Sequence, residues 1–192
     1  MNQRLLLALF LLFDGFLAAC HKDRYKPHDK FDAVGTKYTY MVNDSLSGQT
    51  YPVTVNIVAR RVITGKAMNV WIYHYPTGPD TNYVYSTPDS IIFYDHTGKT
   101  IKNAYYLPLA VGRKWRNYYV LDTCKVVSQG TINAGNITYN DAYQIEEQAG
   151  GYNYYLHRTE WFLPGTGMLK MTKHVYDLGP ADNQSWELVK IE

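Results

Sequence analysis

The stretch of sequence that decides the fold is TYPVTVNIVARRVITGKAMNVWIYHY, residues 50–75. Every second residue from Val53 to Ile57 is apolar and the residues between them are polar, which is the period of a strand with one buried face. The turn sequence Thr64–Lys66 follows, and then a second apolar run, Ala67–Tyr75. This pattern predicts two antiparallel strands joined by a tight hairpin turn.

The same kind of pattern continues along the chain. From Phe31 onward, short β-branched and aromatic runs alternate with Gly, Pro, Asn and Asp, and no long segment has a helical period. The 19 Tyr and 4 Trp residues also favour strands. Pro76–Asn82 is predicted to be a loop, and Ser185–Glu192 a final strand. We therefore expect an all-β antiparallel sheet of about ten strands, curved into a sandwich, barrel or half-barrel.

A repeated phrase indicates an internal duplication. AVGTKY at residues 33–38 returns as AVGRKW at residues 110–115, 77 positions later. Two weaker echoes follow in the same order, Asn82-Tyr83 with Asn153-Tyr154 and Thr97-Gly98 with Thr166-Gly167. The repeat predicts halves 32–104 and 105–192, each phrase marking the start of a strand. Coincidence among glycine-turn strands is the alternative.

The first nineteen residues have the features of a signal peptide. Arg4 precedes an apolar run, Leu5–Phe13, that is too short to span a bilayer as a helix. LAAC, Leu17–Cys20, resembles a bacterial lipobox, which implies cleavage before Cys20 and acylation of its thiol. We expect a lipoprotein signal peptide at 1–19, a charged tether at 20–31 and an all-β domain at 32–192. Ordinary secretion with cleavage near the same alanines is the alternative.

Lipidation has consequences for location and for the second cysteine. A lipid anchor places the protein at a membrane of the bacterial cell envelope. His21, standing where an inner-membrane lipoprotein typically carries Asp, favours the outer membrane. Cys124 is then left without a disulfide partner and is expected to be a small buried side chain. A Cys20–Cys124 disulfide is the alternative if the lipobox interpretation is wrong.

Two longer motifs resemble a known group of proteins. YYLPLAVGRKW, residues 105–115, and EWFLPGTGMLKM, residues 160–171, resemble strand-start and hairpin phrases of Bacteroidota-type lipoproteins of unknown function. That resemblance implies an antiparallel sheet curved as in LolA-like lipoprotein carriers, and a location in the cell envelope. It implies no reaction.

The sequence contains few candidates for chemistry. On the strand Asn153–Leu163, His157 shares a face with Trp161, while Arg158 and Glu160 share the other and are expected to form a solvated pair. No His, Cys or carboxylate spacing predicts a metal site, and no nucleophile or phosphate-loop motif is present. The net charge of +2 is scattered, which argues against nucleic acid. We expect no cofactor, no metal and no enzymatic activity.

The aromatic residues are the main candidates for binding. Pairs spaced two apart share a strand face, and the candidate ligand-binding residues are Trp71, Tyr73, Tyr83, Tyr85 and Trp161. A buried core is the alternative role for the same rings. Ser45 and Ser90, in Asp-Ser-apolar sequences, resemble the O-glycosylation sequon of Bacteroidota.

Three functions follow from these features. The first is a lipid-anchored envelope protein with a non-catalytic binding or structural role, with a glycan, lipid or envelope protein as partner. The second is an outer-membrane glycan-binding module that uses exposed Tyr and Trp. The third is an enzyme of unrecognised type built around His157.

Overall fold

The computed structural model describes residues 31–117 and 122–192, which form twelve strands. The predicted signal peptide and Cys20 lie outside the described residues. The strands are β1 (Lys37–Asp44), β2 (Gln49–Ile63), β3 (Lys66–Tyr75), β4 (Gly78–Thr87), β5 (Ser90–Tyr94), β6 (Ile101–Tyr106), β7 (Lys114–Trp115), β8 (Thr123–Ala134), β9 (Ile137–Gly150), β10 (Tyr154–Leu163), β11 (Gly167–Asp177) and β12 (Pro180–Ile191). Within the described residues, no helix is long and apolar enough to cross a membrane.

All twelve strands belong to one antiparallel sheet in the order β6-β5-β4-β3-β2-β1-β12-β11-β10-β9-β8-β7. The predicted all-β, curved antiparallel fold is confirmed, with two more strands than the expected ten. The predicted hairpin at Thr64–Lys66 is also confirmed. Thr64 and Gly65 join β2 to β3 with φ of 49° and 78°, both in the left-handed region that a two-residue hairpin turn requires.

The predicted loop at Pro76–Asn82 is wrong. Only Pro76 and Thr77 separate β3 from β4, and the remaining residues already pair with β3. Gly78, with φ of +128°, supplies the backbone conformation that closes so short a turn. The turn residues predicted a long connection by composition, but the chain uses Asp80 and Asn82 as strand residues.

The sheet curves until its two edge strands, β6 and β7, meet. No backbone ladder joins the described residues of these strands, and side chains join them instead. Trp115 Nε1 donates to the Ala104 carbonyl at 2.9 Å, and the Ala104 amide donates to Asn117 Oδ1 at 3.1 Å. Asn117 Nδ2 donates to Asn103 Oδ1 at 3.1 Å. The result is a nearly closed barrel, and we call this closure the β6–β7 seam.

The core lies on the inner face of the barrel and is rich in aromatic rings. Tyr38 stacks on Trp71 with ring centroids 5.7 Å apart, and Tyr105 stacks on Phe162 at 4.2 Å. Phe31, which the sequence predicts to end the tether, is buried against Trp71 at 5.3 Å and Phe162 at 6.0 Å. The packed domain therefore includes Phe31 rather than beginning at residue 32.

The two copies of the repeated phrase have the same local structure. Gly35 and Gly112 have φ of +98° and +88°. The Gly35 amide donates to the Ile57 carbonyl at 2.7 Å, and the Gly112 amide donates to the Val126 carbonyl at 2.8 Å. Each copy thus turns on its glycine and then starts a strand, β1 or β7, which confirms that part of the prediction. The division into halves 32–104 and 105–192 stays a prediction.

One of the weaker echoes does not mark equivalent strands. Thr97-Gly98 lies between β5 and β6, whereas Thr166-Gly167 lies at the turn between β10 and β11. If the halves are β1–β6 and β7–β12, these are the fifth and the fourth connections of their halves. The two Thr-Gly pairs are therefore similar because both turns need a glycine with positive φ, and not because the strands correspond.

Replacing Gly98 by alanine is expected to destabilise the fold more than replacing Gly48. Both glycines have similar φ, +71° and +67°, so both substitutions carry a left-handed cost of about 1–2 kcal/mol. A Cβ at Gly98 would also lie 2.3 Å from Ile63 Cγ2, whereas a Cβ at Gly48 meets nothing within 4 Å. Overpacking adds about 1–3 kcal/mol at Gly98 alone. Chemical denaturation measures the difference, and equal losses would contradict it.

Candidate ligand-binding cavity

The inner face of the barrel surrounds a cavity of about 420 Å³. This volume is in the range of small-molecule sites, roughly 300–1,000 Å³. Trp71, Tyr73 and Tyr75 line one wall, because residues two apart on β3 project to the same side. Phe93 on β5 meets Trp71 edge-to-face with ring centroids 5.5 Å apart. The walls are therefore mainly aromatic faces.

Two ion pairs border the cavity where it meets solvent. Lys102 Nζ lies 3.1 Å from Asp80 Oδ2, and Lys173 Nζ lies 2.6 Å from Asp182 Oδ2. All four side chains line the cavity and are partly exposed. Exposed pairs of this kind contribute about 0–1 kcal/mol to stability. Their main effect is to leave the rim with balanced charge.

A buried ionic cluster adjoins the cavity, and two of its three members, Arg158 and Glu160, line it. Arg158 Nη2 lies 2.9 Å from Glu147 Oε2, and Arg158 Nε lies 3.9 Å from Glu160 Oε2. The side chains of Arg158, Glu147 and Glu160 are only 15%, 5% and 2% exposed. The expectation of a solvated Arg158–Glu160 pair is therefore wrong. Both residues share the inward face of β10 with buried Phe162.

The cluster shifts the pKa values of its members through burial and charge. Burial raises the pKa of the Glu160 carboxyl, and this outweighs the opposing effect of the Arg158 charge. For Arg158, burial alone would lower the pKa. The negative charges of Glu160 and Glu147 raise it by more than burial lowers it, so the pKa of Arg158 is raised overall. One permanent cation thus faces two carboxyl groups, and one of them, that of Glu160, keeps its proton to a higher pH than a free glutamic acid does.

Neighbouring polar side chains attach this cluster to the β6–β7 seam. Asn117 Nδ2 donates to Glu147 Oε1, and Arg158 Nη2 donates to Asn103 Oδ1 at 3.0 Å. Cys124 Sγ donates to Glu147 Oε1 at 3.6 Å. Burial, followed by the charge of Glu147, raises the pKa of the Cys124 thiol, which suits an unreactive side chain. Cys124 is a buried free thiol, and the prediction of a small buried side chain is confirmed.

Four buried polar atoms among the cavity-lining residues have no hydrogen-bond partner in the described part of the chain. Two are donors, Trp71 Nε1 and Arg158 Nε, and two are acceptors, Asn82 Oδ1 and Glu160 Oε1. The other polar atoms of the last two side chains are paired, since Asn82 hydrogen-bonds Tyr73 and the Glu160 carboxyl hydrogen-bonds Tyr105. A buried group left unpaired costs about 1–3 kcal/mol, so folded proteins rarely keep several together. Their concentration around one cavity is the chemical feature that most needs an explanation.

Only part of the predicted aromatic site lies at this cavity. Trp71 and Tyr73 line it. Tyr83 and Tyr85 flank buried Val84 on β4 and project to the outer face, where Lys66 Nζ lies 5.4 Å from the Tyr85 ring centroid. Trp161 lies in an outer-face groove on β10. The five residues therefore do not form one platform.

Asn82, Arg158 and Glu160 border the cavity although the sequence assigns none of them to a site. The alternation of side chains along a strand is the sequence feature that could have placed these three residues at the cavity. Asn82 shares a strand face with Val84, and the other two share one with Phe162. A polar residue aligned with an apolar residue of a buried face is a candidate for a polar group inside a core or cavity.

The remaining candidates lie away from the cavity. His157 is on the outer face, with its ring 6.5 Å from that of Tyr155, and its strand partner on β11 is His174. No group of three or more metal-binding His, Cys, Asp or Glu side chains occurs within residues 31–117 and 122–192. Ser45 is exposed and donates to the Asn183 carbonyl at 3.0 Å, whereas Ser90 is half-buried beside Thr87. Glycosylation of both stays a prediction.

Replacing Glu160 by glutamine is expected to stabilise the fold by about 1–3 kcal/mol at pH 8, because it removes a buried charge and leaves Arg158 paired with Glu147. The pKa of Glu160 in the folded protein lies above the value of 4.5 expected in the unfolded chain. At a pH between these two pKa values, the folded protein keeps a proton on Glu160 that the unfolded chain has lost. The stability that this proton confers is present below pH 4.5 and is lost as pH rises through the folded pKa. The advantage of the variant should therefore shrink toward pH 4.

Urea denaturation at several pH values measures this effect. Glu187→Gln is the matched control, because Glu187 pairs with Lys170 at 3.2 Å on the exposed surface and should change stability by less than about 1 kcal/mol. A Glu160→Gln variant that is less stable than the natural protein at pH 8 would contradict the expected cost of the buried carboxylate.

Comparison with known proteins places the fold. No protein-family model matches the chain, and no curated protein matches it. A solved structure from Parabacteroides distasonis, of a protein inferred to be a lipoprotein, aligns over 86% of this chain and 99% of its own with 12% identity and a TM-score of 0.43. A protein from Bacteroides fragilis, inferred to be exported and described as having a YmcC-like fold, aligns over 84% of this chain and 97% of its own. The TM-score is 0.54 at 9% identity, and the chain is thus similar in fold to this YmcC-like protein.

Proposed function

We propose that this protein is a cell-envelope lipoprotein, anchored through Cys20, that binds a small molecule inside its barrel without catalysing a reaction. The observation that carries the proposal is the aromatic cavity of about 420 Å³ with four unpartnered buried polar atoms around it. Small-molecule sites are mostly apolar with a few well-placed polar groups. The lipobox supports the anchor, and the fold similarity to a protein inferred to be exported agrees with an envelope location.

Native mass spectrometry of the full-length protein, extracted from its own membranes, tests the binding role. We expect a retained small molecule that is released when the protein is denatured. The variant Asn82→Leu removes an unpartnered acceptor and keeps the number of side-chain heavy atoms, and we expect it to retain less of the molecule. A ligand-free mass, with no thermal stabilisation by a broad library of small molecules, would overturn the binding role.

The anchor has a separate test. Cys20→Ala is expected to leave the precursor unprocessed or to release soluble protein, because the thiol that would carry the lipid is gone. Labelling with a clickable palmitate analogue and membrane fractionation measure this. Cys124→Ala, at the buried free thiol, is the matched control and should be labelled normally. Normal maturation and membrane attachment of Cys20→Ala would show that the lipobox interpretation is wrong.

A further inference from the structure

We propose that the cavity recognises a neutral ring compound bearing several hydroxyl groups, such as a mono- or disaccharide. This inference rests on the proposed binding role and names the class of ligand. Three properties of the cavity support it: the balance of its unpaired polar atoms, the pairing of its charges, and the geometry of its aromatic wall.

The unpaired atoms include both donors and acceptors. Trp71 Nε1 and Arg158 Nε can only donate, and Asn82 Oδ1 accepts. Glu160 Oε1 accepts when the carboxyl is ionised. A hydroxyl group both donates and accepts, so a ligand with several hydroxyls can pair with both kinds of atom once small side-chain movements uncover them, because each of these atoms is almost fully covered. An acyl chain can pair with neither kind and would leave the cost of their burial in place.

The charges around the cavity argue against a charged ligand. Lys102 and Lys173 are each paired with an aspartate on the rim, and Arg158 is held between Glu147 and Glu160. A carboxylate or phosphate would find every cation already paired. An ammonium group would approach the Arg158 guanidinium, which carries the same charge and can only donate hydrogen bonds. A neutral ligand requires none of these pairs to break.

The aromatic wall suits a flat, partly apolar ring. Tyr73 and Tyr75 both line the cavity, with their rings nearly parallel at an interplanar angle of 12° and their centroids 6.2 Å apart. Trp71 continues this row on β3. The C–H face of a sugar ring packs on such a surface while its hydroxyls, at the ring edge, reach polar atoms to the side. Asn82 lies on the adjacent strand, directly opposite Trp71 in the register.

The test uses the full-length protein in a detergent without a sugar headgroup. Binding of neutral mono- and disaccharides of the gluco, galacto, manno and xylo series, with their N-acetyl forms, is measured by saturation-transfer NMR. Glucuronate, glucosamine and decanoate are the charged and acyl comparisons. We expect at least one neutral sugar to bind, and to bind more tightly than its charged relatives.

Two variants show whether the binding occurs in the cavity. Asn82→Leu is expected to weaken sugar binding at least tenfold, because it removes an unpaired acceptor, Asn82 Oδ1, together with the amide group that hydrogen-bonds Tyr73. Trp71→Phe removes the indole donor and keeps an aromatic ring, and should weaken binding in the same way. Tyr83→Phe, next to Asn82 but on the outer face, should bind as the natural protein does.

The outcomes separate the two proposals. Sugar binding that the cavity variants weaken supports both. A retained lipid or other ligand without hydroxyl groups overturns this inference and leaves the binding role intact. Sugar binding that Asn82→Leu and Trp71→Phe both leave unchanged overturns the inference as well, since the site is then elsewhere. Failure of every neutral sugar, together with a ligand-free native protein, overturns both proposals.

Discussion

Replacing Arg158 by leucine is expected to lower the free energy of unfolding by about 3–5 kcal/mol, the loss typical of breaking a buried ion pair. The substitution leaves Glu147 and Glu160, 5% and 2% exposed, without the cation that lies between them. It also removes the hydrogen bond from Arg158 to Asn103 at the β6–β7 seam. Chemical denaturation followed by circular dichroism measures the loss.

Two further variants make this result interpretable. Lys102→Met removes a cation, similar in length to Arg158, from the exposed ion pair with Asp80 at the rim. It should lower the free energy of unfolding by less than about 1 kcal/mol. Adding Glu147→Gln and Glu160→Gln to Arg158→Leu removes the uncompensated charges and should restore part of the lost stability. An Arg158→Leu protein as stable as the Lys102→Met protein would contradict a buried ionic cluster. Failure of the triple variant to recover any stability would contradict charge burial as the cause.

Replacing Phe31 by alanine is expected to cost about 3–5 kcal/mol, the usual penalty for truncating a buried phenylalanine. Phe31 is 3% exposed and bridges two walls of the barrel by contacting Trp71 on β3 and Phe162 on β10. Its ring also lies 3.0 Å from where a Cβ on Gly167 would stand.

The loss is measured by thermal and chemical denaturation against Val34→Ala. Val34 is three residues away, is 54% exposed, and should change stability by about 0.5 kcal/mol or less. Phe31→Leu, which keeps apolar volume, should fall between the two. Equal stability of Phe31→Ala and Val34→Ala would show that Phe31 belongs to the tether, as the sequence predicted, rather than to the core.

The sequence predicts the strands well because strand period and turn chemistry are local properties. The alternation from Val53 to Ile57 and the turn at Thr64-Gly65 both appear in the structure. The Ala-Val-Gly phrase also starts a strand twice. The prediction of a loop at Pro76–Asn82 is wrong because amino-acid composition does not distinguish a loop from a short turn followed by a polar strand that faces a cavity.

The site was only partly predictable, because period shows which residues share a face but not which face is inside. Trp71 and Tyr73 were placed correctly on one face, and that face is the inner one. Tyr83, Tyr85 and Trp161 satisfy the same spacing rule and lie outside. The sequence predicts a solvated Arg158–Glu160 pair, because charged residues are rarely buried. Their burial depends on Glu147, which approaches from β9 and which spacing along β10 cannot reveal.

The order of the strands in the sheet differs from their order along the chain. The first and last strands, β1 and β12, pair in the middle of the sheet, while the middle of the chain supplies both edges. A pull on the amino-terminal side therefore acts first on the buried ring of Phe31, which packs on Trp71 and Phe162, and then on β1, which has a hydrogen-bonded neighbour on each side. An edge strand would peel away one bond at a time. A force applied on the amino-terminal side of the domain thus reaches an interior strand of the sheet rather than one of its two edges.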